Sequence, residues 1–365
     1  IDINQINLKF KIMKTKSRLH QITKVLLIAV LSIFALTPAN AQFSPVPVNK
    51  LDYVKVTAQN YVRAESDVQM KGYINTFGCF GKLHHNRAPY DVNNQITIRG
   101  NRDTYYSFGV FDLTSPLTVE LPENNGRYQS IMIVSQNHSI WGLYGPKKGT
   151  LTPENVGSRY VFLVVRTFVD PNDEADVAAA QKLQDQVTYH QEDIGSFEVP
   201  DWKIEEVEEA RNLINYTGST VQSWGKAFGV KEELDPVYWT LGAAYGWGGL
   251  PGKDATYQNF VPEQNDGKTA YTLTAKDVPV DAFWSVTLYD DKGLMPVNKY
   301  NAYSFNNVTA KKSKDGSITI HFGGDPKQDN FIPIVTGWNY IVRLYRPRAE
   351  ILEGGWTFPE PKPVK

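Results

Sequence analysis

After residue 94 the sequence alternates between short runs of β-branched and aromatic residues and short clusters of turn-forming residues. Runs of this length and composition predict strands that each bury one face. The turn signals Gly100-Asn101, Glu123 to Gly126 and Gly145-Pro146 leave only hairpin-length connections between the runs. Such connections favour antiparallel pairing in a sandwich over a parallel sheet. The predicted strands of this region are QITIR, TYYSFGVF, LTVELP, RYQSIMIVS and RYVFLVVRTF.

A second group of such runs lies near the C-terminus and consists of TAYTLTA, AFWSVTLYD, GSITIHF and NYIVRLYRP. In FWSVTLYD, successive side chains of a strand point to opposite faces. One face is apolar enough for a core, and the other is aromatic and hydroxylated. The first face carries Trp284, Val286 and Leu288, and the second carries Phe283, Ser285, Thr287 and Tyr289.

Helices are predicted between and before these two groups. ADVAAAQKLQDQ follows an acidic cluster that suits a helix N-terminus. IEEVEEARNLINYTG has one apolar face and ends at Gly218, and YVKVTAQNYVRAESDVQMKGYINTFG also has helical spacing. We therefore predict a mainly β protein with helical insertions. Its predicted ranges are 1–41 as leader, 50–170 as N-terminal β domain, 171–250 as helical connection and 251–362 as C-terminal β domain.

The N-terminal region has the parts of a secretory signal peptide. From Met13, basic residues precede an apolar run from Val25 to Leu36, and Ala39-Asn40-Ala41 offers a cleavage site before Gln42. The run is shorter than the about 20 residues of a membrane-spanning helix, although a retained anchor is the alternative. We expect an exported protein, periplasmic or secreted, that starts at Met13 and has no membrane span after signal removal.

Removal of the leader changes the charge balance. The whole sequence has a formal net charge of −1. Residues 1–41 hold six of the 38 Lys and Arg residues and one of the 39 Asp and Glu residues, so the mature chain carries −6. Nucleic acid binding requires a concentrated basic face, which the sequence lacks. We therefore expect no nucleic acid partner, and a homo-oligomer stays open.

Motifs for covalent or metal chemistry are scarce. The single cysteine, Cys79, has aromatic neighbours and is interpreted as a core residue rather than a nucleophile. His84 and His85 would point to opposite faces of a strand, which does not suit one metal ion. The sequence contains no G-x-S-x-G elbow and no phosphate-binding glycine loop. We predict neither a metal nor a cofactor.

Several short blocks follow one another in a fixed order. The N-terminal blocks are Asn101-Arg102-Asp103-Thr104 with Tyr106, Gly126-Arg127-Tyr128 and the helix from Ala175 to Gln186. The C-terminal blocks are Asp281 to Asp290, Asp315-Gly316-Ser317 and Arg343-Leu344-Tyr345 with Pro347 and Trp356. In these blocks the chain resembles, over about residues 50 to 362, a bacterial two-domain family. That family joins domain of unknown function 1254 to domain of unknown function 1214.

The resemblance implies an exported or envelope-associated protein with two antiparallel β-sandwich domains of jelly-roll type, joined by helices. It implies no established activity. The chain departs from the family pattern at Phe331-Ile332-Pro333, where many relatives have Trp-Leu-Pro. A pocket lined by that tryptophan in relatives would have another shape here.

The segment RGNRDTYYS, Arg99 to Ser107, has two interpretations. It can be a turn in which Asn and Asp cap local amides, or it can present Asn101, Asp103 and Tyr106 to a cleft. Arg127 also has two interpretations: it can bind an anion with both guanidinium nitrogens or form a surface ion pair. The aromatic strand faces can bind a ligand or pack in the core. The candidate ligand-binding residues are Asn101, Asp103, Tyr106, Arg127, Tyr128, Trp284, Tyr289 and Arg343.

Three functional hypotheses follow. The first is binding of a small or glycan-like ligand in a cleft between the domains. The second is an envelope or extracellular hydrolase or lyase, with Asp103, Tyr106 and Arg127 as candidate catalytic residues. The third is an oligomeric surface component, which a large exposed apolar patch without a cleft would favour. The sequence leaves open whether the protein is an enzyme.

Overall fold

The computed structural model describes residues 53–95, 99–221 and 224–364. Within these ranges it contains 16 strands and six α-helices, and all but one of the strand pairs that form its sheets are antiparallel. The predicted mainly β fold with helical insertions is confirmed. The sandwich and jelly-roll details and the domain boundaries stay predictions. The predicted signal peptide from Met13 to Ala41 and the centre of the predicted strand QITIR lie outside the described residues.

The N-terminal part contains a five-stranded sheet with the order β1-β2-β7-β4-β5 and a three-stranded sheet with the order β6-β3-β8. One face of the larger sheet shares a buried hydrophobic cluster with the smaller sheet. The strands are β1 (His84–His85), β2 (Thr104–Asp112), β3 (Leu117–Leu121), β4 (Gln129–Ser135), β5 (Ile140–Tyr144), β6 (Lys147–Leu151), β7 (Tyr160–Phe168) and β8 (Thr188–His190).

The C-terminal part contains two four-stranded sheets with the orders β14-β13-β10-β16 and β12-β11-β15-β9. Both sheets contribute to a second hydrophobic core, in which Trp338 is fully buried. Although the C-terminal tail is rich in proline, it adds strand β16 to the first of these sheets. The strands are β9 (Ala255–Phe260), β10 (Tyr271–Ala275), β11 (Trp284–Tyr289), β12 (Ser304–Asn306), β13 (Ile318–Phe322), β14 (Phe331–Ile332), β15 (Asn339–Tyr345) and β16 (Lys362–Pro363).

The helices begin where the sequence supplies acceptors for free backbone amides. Asp173 and Asp235 each accept two such amides at a helix N-terminus. The second of these helices lies within the range 171–250 that was predicted as a helical connection. The helices are α1 (Tyr61–Phe77), α2 (Pro153–Val156), α3 (Glu174–Asp185), α4 (Ile204–Gly218), α5 (Pro236–Tyr245) and α6 (Ala349–Leu352), with a 3₁₀ helix at Lys231–Glu233. None of the described helices is both long and apolar enough to cross a membrane.

A third hydrophobic cluster joins the N-terminal and C-terminal parts. Phe283, which is 1% exposed, precedes β11 and inserts among aromatic rings of the five-stranded sheet. Its ring centroid lies 4.9 Å from that of Phe168 and 5.3 Å from that of Tyr128. It also stacks on Tyr345 of β15 at 4.3 Å. The two parts therefore share one aromatic core, which we call the aromatic joint.

Candidate functional site

The segment from Arg99 to Asp103 lies across the sheet of the C-terminal part. The Arg99 amide donates to the Gly293 carbonyl oxygen at 2.8 Å, and Tyr289 Oη donates to the Gly100 carbonyl oxygen at 2.6 Å. Arg343 Nη2 donates to the Arg99 carbonyl oxygen at 3.0 Å. A Cβ atom at Gly100 would lie 2.4 Å from the Tyr90 ring, so any larger residue here would have to displace that ring. The segment thus ties the two parts of the protein together.

Asp103 belongs to this contact and is 1% exposed. Ser285 Oγ donates to its Oδ2 at 2.6 Å, which connects the start of β2 to β11. Burial raises the pKa of the Asp103 carboxyl, and the nearby Arg343 guanidinium and the Ser285 hydrogen bond oppose that shift. The side chain lines neither of the two cavities described below. Its position is that of a buried structural carboxylate.

Asn101 connects this contact to a cavity. Its Nδ2 donates to Tyr345 Oη at 2.9 Å and to Tyr106 Oη at 3.2 Å. Tyr345 is buried among the aromatic residues of the joint, whereas Tyr106 and Asn101 itself line the cavity. Two of the predicted ligand-binding residues, Asn101 and Tyr106, are therefore brought together.

The cavity lies between α1 and one face of the five-stranded sheet and has a volume of about 740 Å³. Side chains alternate along a strand, so Tyr106 faces the cavity from β2, whereas Phe111 of the same strand packs into the core shared with the three-stranded sheet. Gly72 faces the cavity from α1, and a Cβ atom there would meet nothing within 4 Å. The aromatic residues of the wall, apart from Tyr106 and Tyr90, are Tyr73, Phe77, Phe108, Phe162 and Trp247.

A buried histidine supports the rim of the cavity. The Gly248 amide donates to His138 Nε2 at 3.0 Å, and the indole Nε1 of Trp247 donates to Ser66 Oγ at 2.9 Å. The His138 ring lies 6.2 Å from the Trp247 ring. His138 is 0% exposed, and burial lowers its pKa to about 3. The imidazole is therefore neutral and accepts the Gly248 hydrogen bond with Nε2.

Sequence reasoning missed Arg166, which lines the cavity from β7 and is 8% exposed. It is the cross-strand partner of Tyr106, and its guanidinium carbon lies 5.5 Å from the Tyr106 ring centroid. Burial would raise the pKa of the Tyr106 phenol, but Arg166, together with hydrogen bonds and Arg343, outweighs it and lowers that pKa. A signal was present in RYVFLVVRTF, because Arg166 shares its strand face with Phe162 and Val164.

A second cavity of about 760 Å³ lies between the N-terminal and C-terminal parts. Arg127 and Tyr128 line it from one side, and Phe283 and Arg346 from the other. Arg127 Nη1 donates to Asp176 Oδ2 at 2.9 Å, and Nη2 donates to Oδ1 of the same carboxylate. Burial raises the pKa of Tyr128 to about 12. The Arg127 guanidinium is thus engaged in an ion pair, the second of the two alternatives from the sequence.

The other predicted residues lie away from the first cavity. Trp284 packs in the C-terminal core, 5.3 Å from the Phe358 ring, because it is on the apolar face of β11. Tyr289 and Arg343 lie on the opposite face of that sheet, where Arg343 Nη2 donates to Tyr289 Oη at 2.6 Å. Trp284 is therefore a core residue, and the other two hold the segment at Arg99.

The groups around the first cavity suit recognition more than covalent chemistry. Cys79 is fully buried, its Sγ donates to the Tyr73 carbonyl oxygen at 3.4 Å, and burial raises the pKa of the thiol. Within residues 53–95, 99–221 and 224–364, no group of three His, Cys, Asp or Glu side chains is placed to hold a metal ion. The described groups that line the cavity include aromatic rings, together with phenol, amide and guanidinium groups such as those of Tyr106, Asn101 and Arg166.

Comparison with known proteins agrees with this architecture. The family described as protein of unknown function DUF1254 matches residues 80–191, and the family described as protein of unknown function DUF1214 matches residues 256–349. The VPA0106 protein from Vibrio parahaemolyticus is similar in structure, with a TM-score of 0.63, 20% identity, and coverage of 84% of this chain and 98% of that chain. An uncharacterised protein from Burkholderia cenocepacia has a TM-score of 0.47 and 12% identity over 84% and 88% of the two chains. No curated protein matches the chain.

Proposed function

We propose that this chain, which belongs to the family that joins a DUF1254 domain to a DUF1214 domain, is an exported protein that binds a small organic molecule. The binding site is the cavity between α1 and the five-stranded sheet. The signal peptide pattern from Met13 to Ala41 supports export to the periplasm or outside the cell.

The composition of the cavity wall is the observation that carries the proposal. Ligand pockets are concave, mostly apolar and supplied with a few converging polar groups, within about 300–1,000 Å³. Here the Tyr73 ring centroid lies 4.5 Å from that of Phe162 and 4.9 Å from that of Phe108, and Phe162 lies 5.4 Å from Trp247. These rings form one continuous wall on which a flat apolar molecule can pack.

This cavity is a better candidate than the cleft between the two parts. In that cleft the guanidinium of Arg127 is already bound to Asp176. The hydrolase or lyase alternative is also less well supported, because its three residues do not converge. Tyr106 lines the cavity between α1 and the sheet, Arg127 lines the inter-domain cleft, and Asp103 lines neither.

A neutral fluorescent probe tests the site. N-phenyl-1-naphthylamine is apolar, and we expect saturable binding to the wild-type protein with an increase in its fluorescence. Gly72→Trp should abolish that binding, because position 72 faces the cavity with open space in front of it. Replacing a helical glycine also costs no helix propensity, so the variant should fold.

The matched control is Asn75→Trp, which places the same side chain at an exposed position of α1 that does not line the cavity. It should bind the probe like the wild type. Absence of saturable binding to the wild type, or binding that survives Gly72→Trp, would contradict the proposed site.

A further inference from the structure

The first cavity contains a buried cation without an anionic partner, and the inference drawn from it rests on the proposed function. Arg166 Nη1 and Nη2 donate to the Met132 sulfur, at 3.7 Å and 3.8 Å, and the guanidinium lies over the Tyr106 ring at 5.5 Å, but among the described residues no oxygen accepts a hydrogen bond from it. A thioether is a weak acceptor, and no described residue forms an ion pair with this guanidinium. Asp254 is not in contact with this guanidinium and interacts with it only at longer range. Burial raises the pKa of the Asp254 carboxyl, and the charge of Arg166 is one of the smaller effects that lower it.

A second buried arginine, Arg343, shows how this protein provides hydrogen-bond acceptors for a guanidinium with a structural role. Arg343 is 3% exposed. Its Nη1 donates to Thr287 Oγ1 at 2.8 Å, and its Nη2 donates to Tyr289 Oη and to two backbone carbonyl oxygens. Arg166 is almost as buried but has no oxygen acceptor among the described residues. Burying a charge without such partners is costly, so Arg166 is unlike a structural arginine.

The surroundings of Arg166 favour an anion. Four of the described residues that line the cavity carry a charge, namely Arg87, Arg99, Arg166 and Asp91. Arg87 is paired with Asp185, so Arg99 and Arg166 supply the positive charge that Asp91 offsets only in part. Tyr106 lies across the strand pair from Arg166 and stacks on Phe108 at 6.0 Å, with 17° between the rings. The lowered pKa of Tyr106 is consistent with an excess of positive charge at this point.

We infer that the ligand is an organic carboxylate with a flat apolar body, whose carboxylate pairs with Arg166 and whose body packs on the aromatic wall. The two outer nitrogens of a guanidinium match the two oxygens of a carboxylate. The row from Arg166 through Tyr106 and Phe108 to Phe162 runs directly from the charged group to the apolar wall. The ligand carboxylate replaces the weak sulfur contacts of the guanidinium.

Two probes of almost identical shape test the inference. 2-Naphthoate carries a carboxylate and 2-naphthamide a neutral amide on the same ring system. By calorimetry, we expect the wild-type protein to bind 2-naphthoate at least about tenfold more tightly, the size of a charge-assisted pair in a water-poor site. Arg166→Met should remove this preference by weakening 2-naphthoate binding about tenfold, with 2-naphthamide within about twofold of its wild-type affinity.

Arg348→Met is the matched control, because Arg348 is exposed and does not line the cavity. It should keep the wild-type preference. Arg166→Met should fold, since replacing an unpaired buried charge with an apolar side chain is tolerated. The comparison of the two probes on the wild-type protein tests the inference without any variant.

Equal affinities of the two probes for the wild type would overturn the inference, and so would a preference that survives Arg166→Met. In either case binding of N-phenyl-1-naphthylamine would still support the cavity as a binding site. If that neutral probe also fails to bind, both the inference and the proposed function are wrong.

Discussion

His138 provides a quantitative test of the packing behind the cavity rim. Its imidazole is buried and neutral with a pKa of about 3 in the folded protein, against about 6.5 for an exposed histidine. Because the folded pKa is the lower one, the unfolded chain takes up the proton first as the pH falls. His138 therefore contributes stability that is present above about pH 6.5 and lost as the pH falls towards the folded value.

The size of this effect follows from the two pKa values. Between about pH 7 and pH 5 the unfolded imidazole becomes almost fully protonated, whereas the folded one stays neutral, which lowers the free energy of unfolding by about 2 kcal/mol. His138→Gln removes the titrating group but keeps a side-chain oxygen for the Gly248 amide. Between about pH 7 and pH 5, the free energy of unfolding of the variant should therefore fall by about 2 kcal/mol less than that of the wild type.

Urea unfolding at both pH values measures the difference. Buried carboxyls such as Asp103, whose pKa is raised by burial, act in the opposite direction, but they are common to both proteins and cancel in the comparison. His190→Gln removes an exposed imidazole from β8 and should show the wild-type pH dependence. The same pH dependence in His138→Gln and wild type would refute the reasoning.

Two further predictions concern the aromatic joint and the cavity. Phe283→Ala should lower the free energy of unfolding by about 3–5 kcal/mol, the usual cost of removing a buried phenylalanine. Urea unfolding of this variant should still show one transition for both parts of the protein. A loss below about 1 kcal/mol, or two separate transitions, would contradict a shared core. The phenolate of Tyr106, seen as the difference in absorbance between wild type and Tyr106→Phe during an alkaline titration, should form at lower pH than an ordinary tyrosine. Arg166→Met should move its formation to higher pH, because the positive charge that lowers the pKa is removed.

Eight of the strands, among them β2, β4, β7, β11 and β15, could be predicted because they are runs of β-branched and aromatic residues between turn signals. In β11 the alternation separates Trp284 from Ser285 and Tyr289, and the structure follows it: Trp284 packs in the C-terminal core, while the other two contact the segment at Arg99. The same pattern argued against grouping Trp284 with the site residues. Helix α5 lies within the range 171–250 that we predicted to be helical, but no separate helix was predicted there, although Asp235 and Pro236 form a clear helix start.

The candidate site was only partly visible in the sequence. Polar residues such as Asn101 and Tyr106 stood out because they follow a turn, but nothing local reveals that Asp103 is buried against another part of the chain. Arg166, in contrast, is a charged residue within a buried and otherwise apolar strand. It belongs to no motif, and only the strand face on which it lies distinguishes it. Which strand faces enclose a cavity depends on long-range packing, here of α1 on the sheet, and one sequence does not specify it.

The aromatic joint also affects how the protein can be made. Tyr128 and Phe168 leave the ribosome before Phe283, which covers them in the folded protein, and the helices between β8 and β9 are synthesised in the meantime. Until then the nascent chain presents an uncovered aromatic surface of the kind that chaperones recognise and that promotes aggregation. A fragment that ends before β11 would keep that surface permanently, so synthesis of the N-terminal domain alone should yield a chaperone-bound or insoluble product.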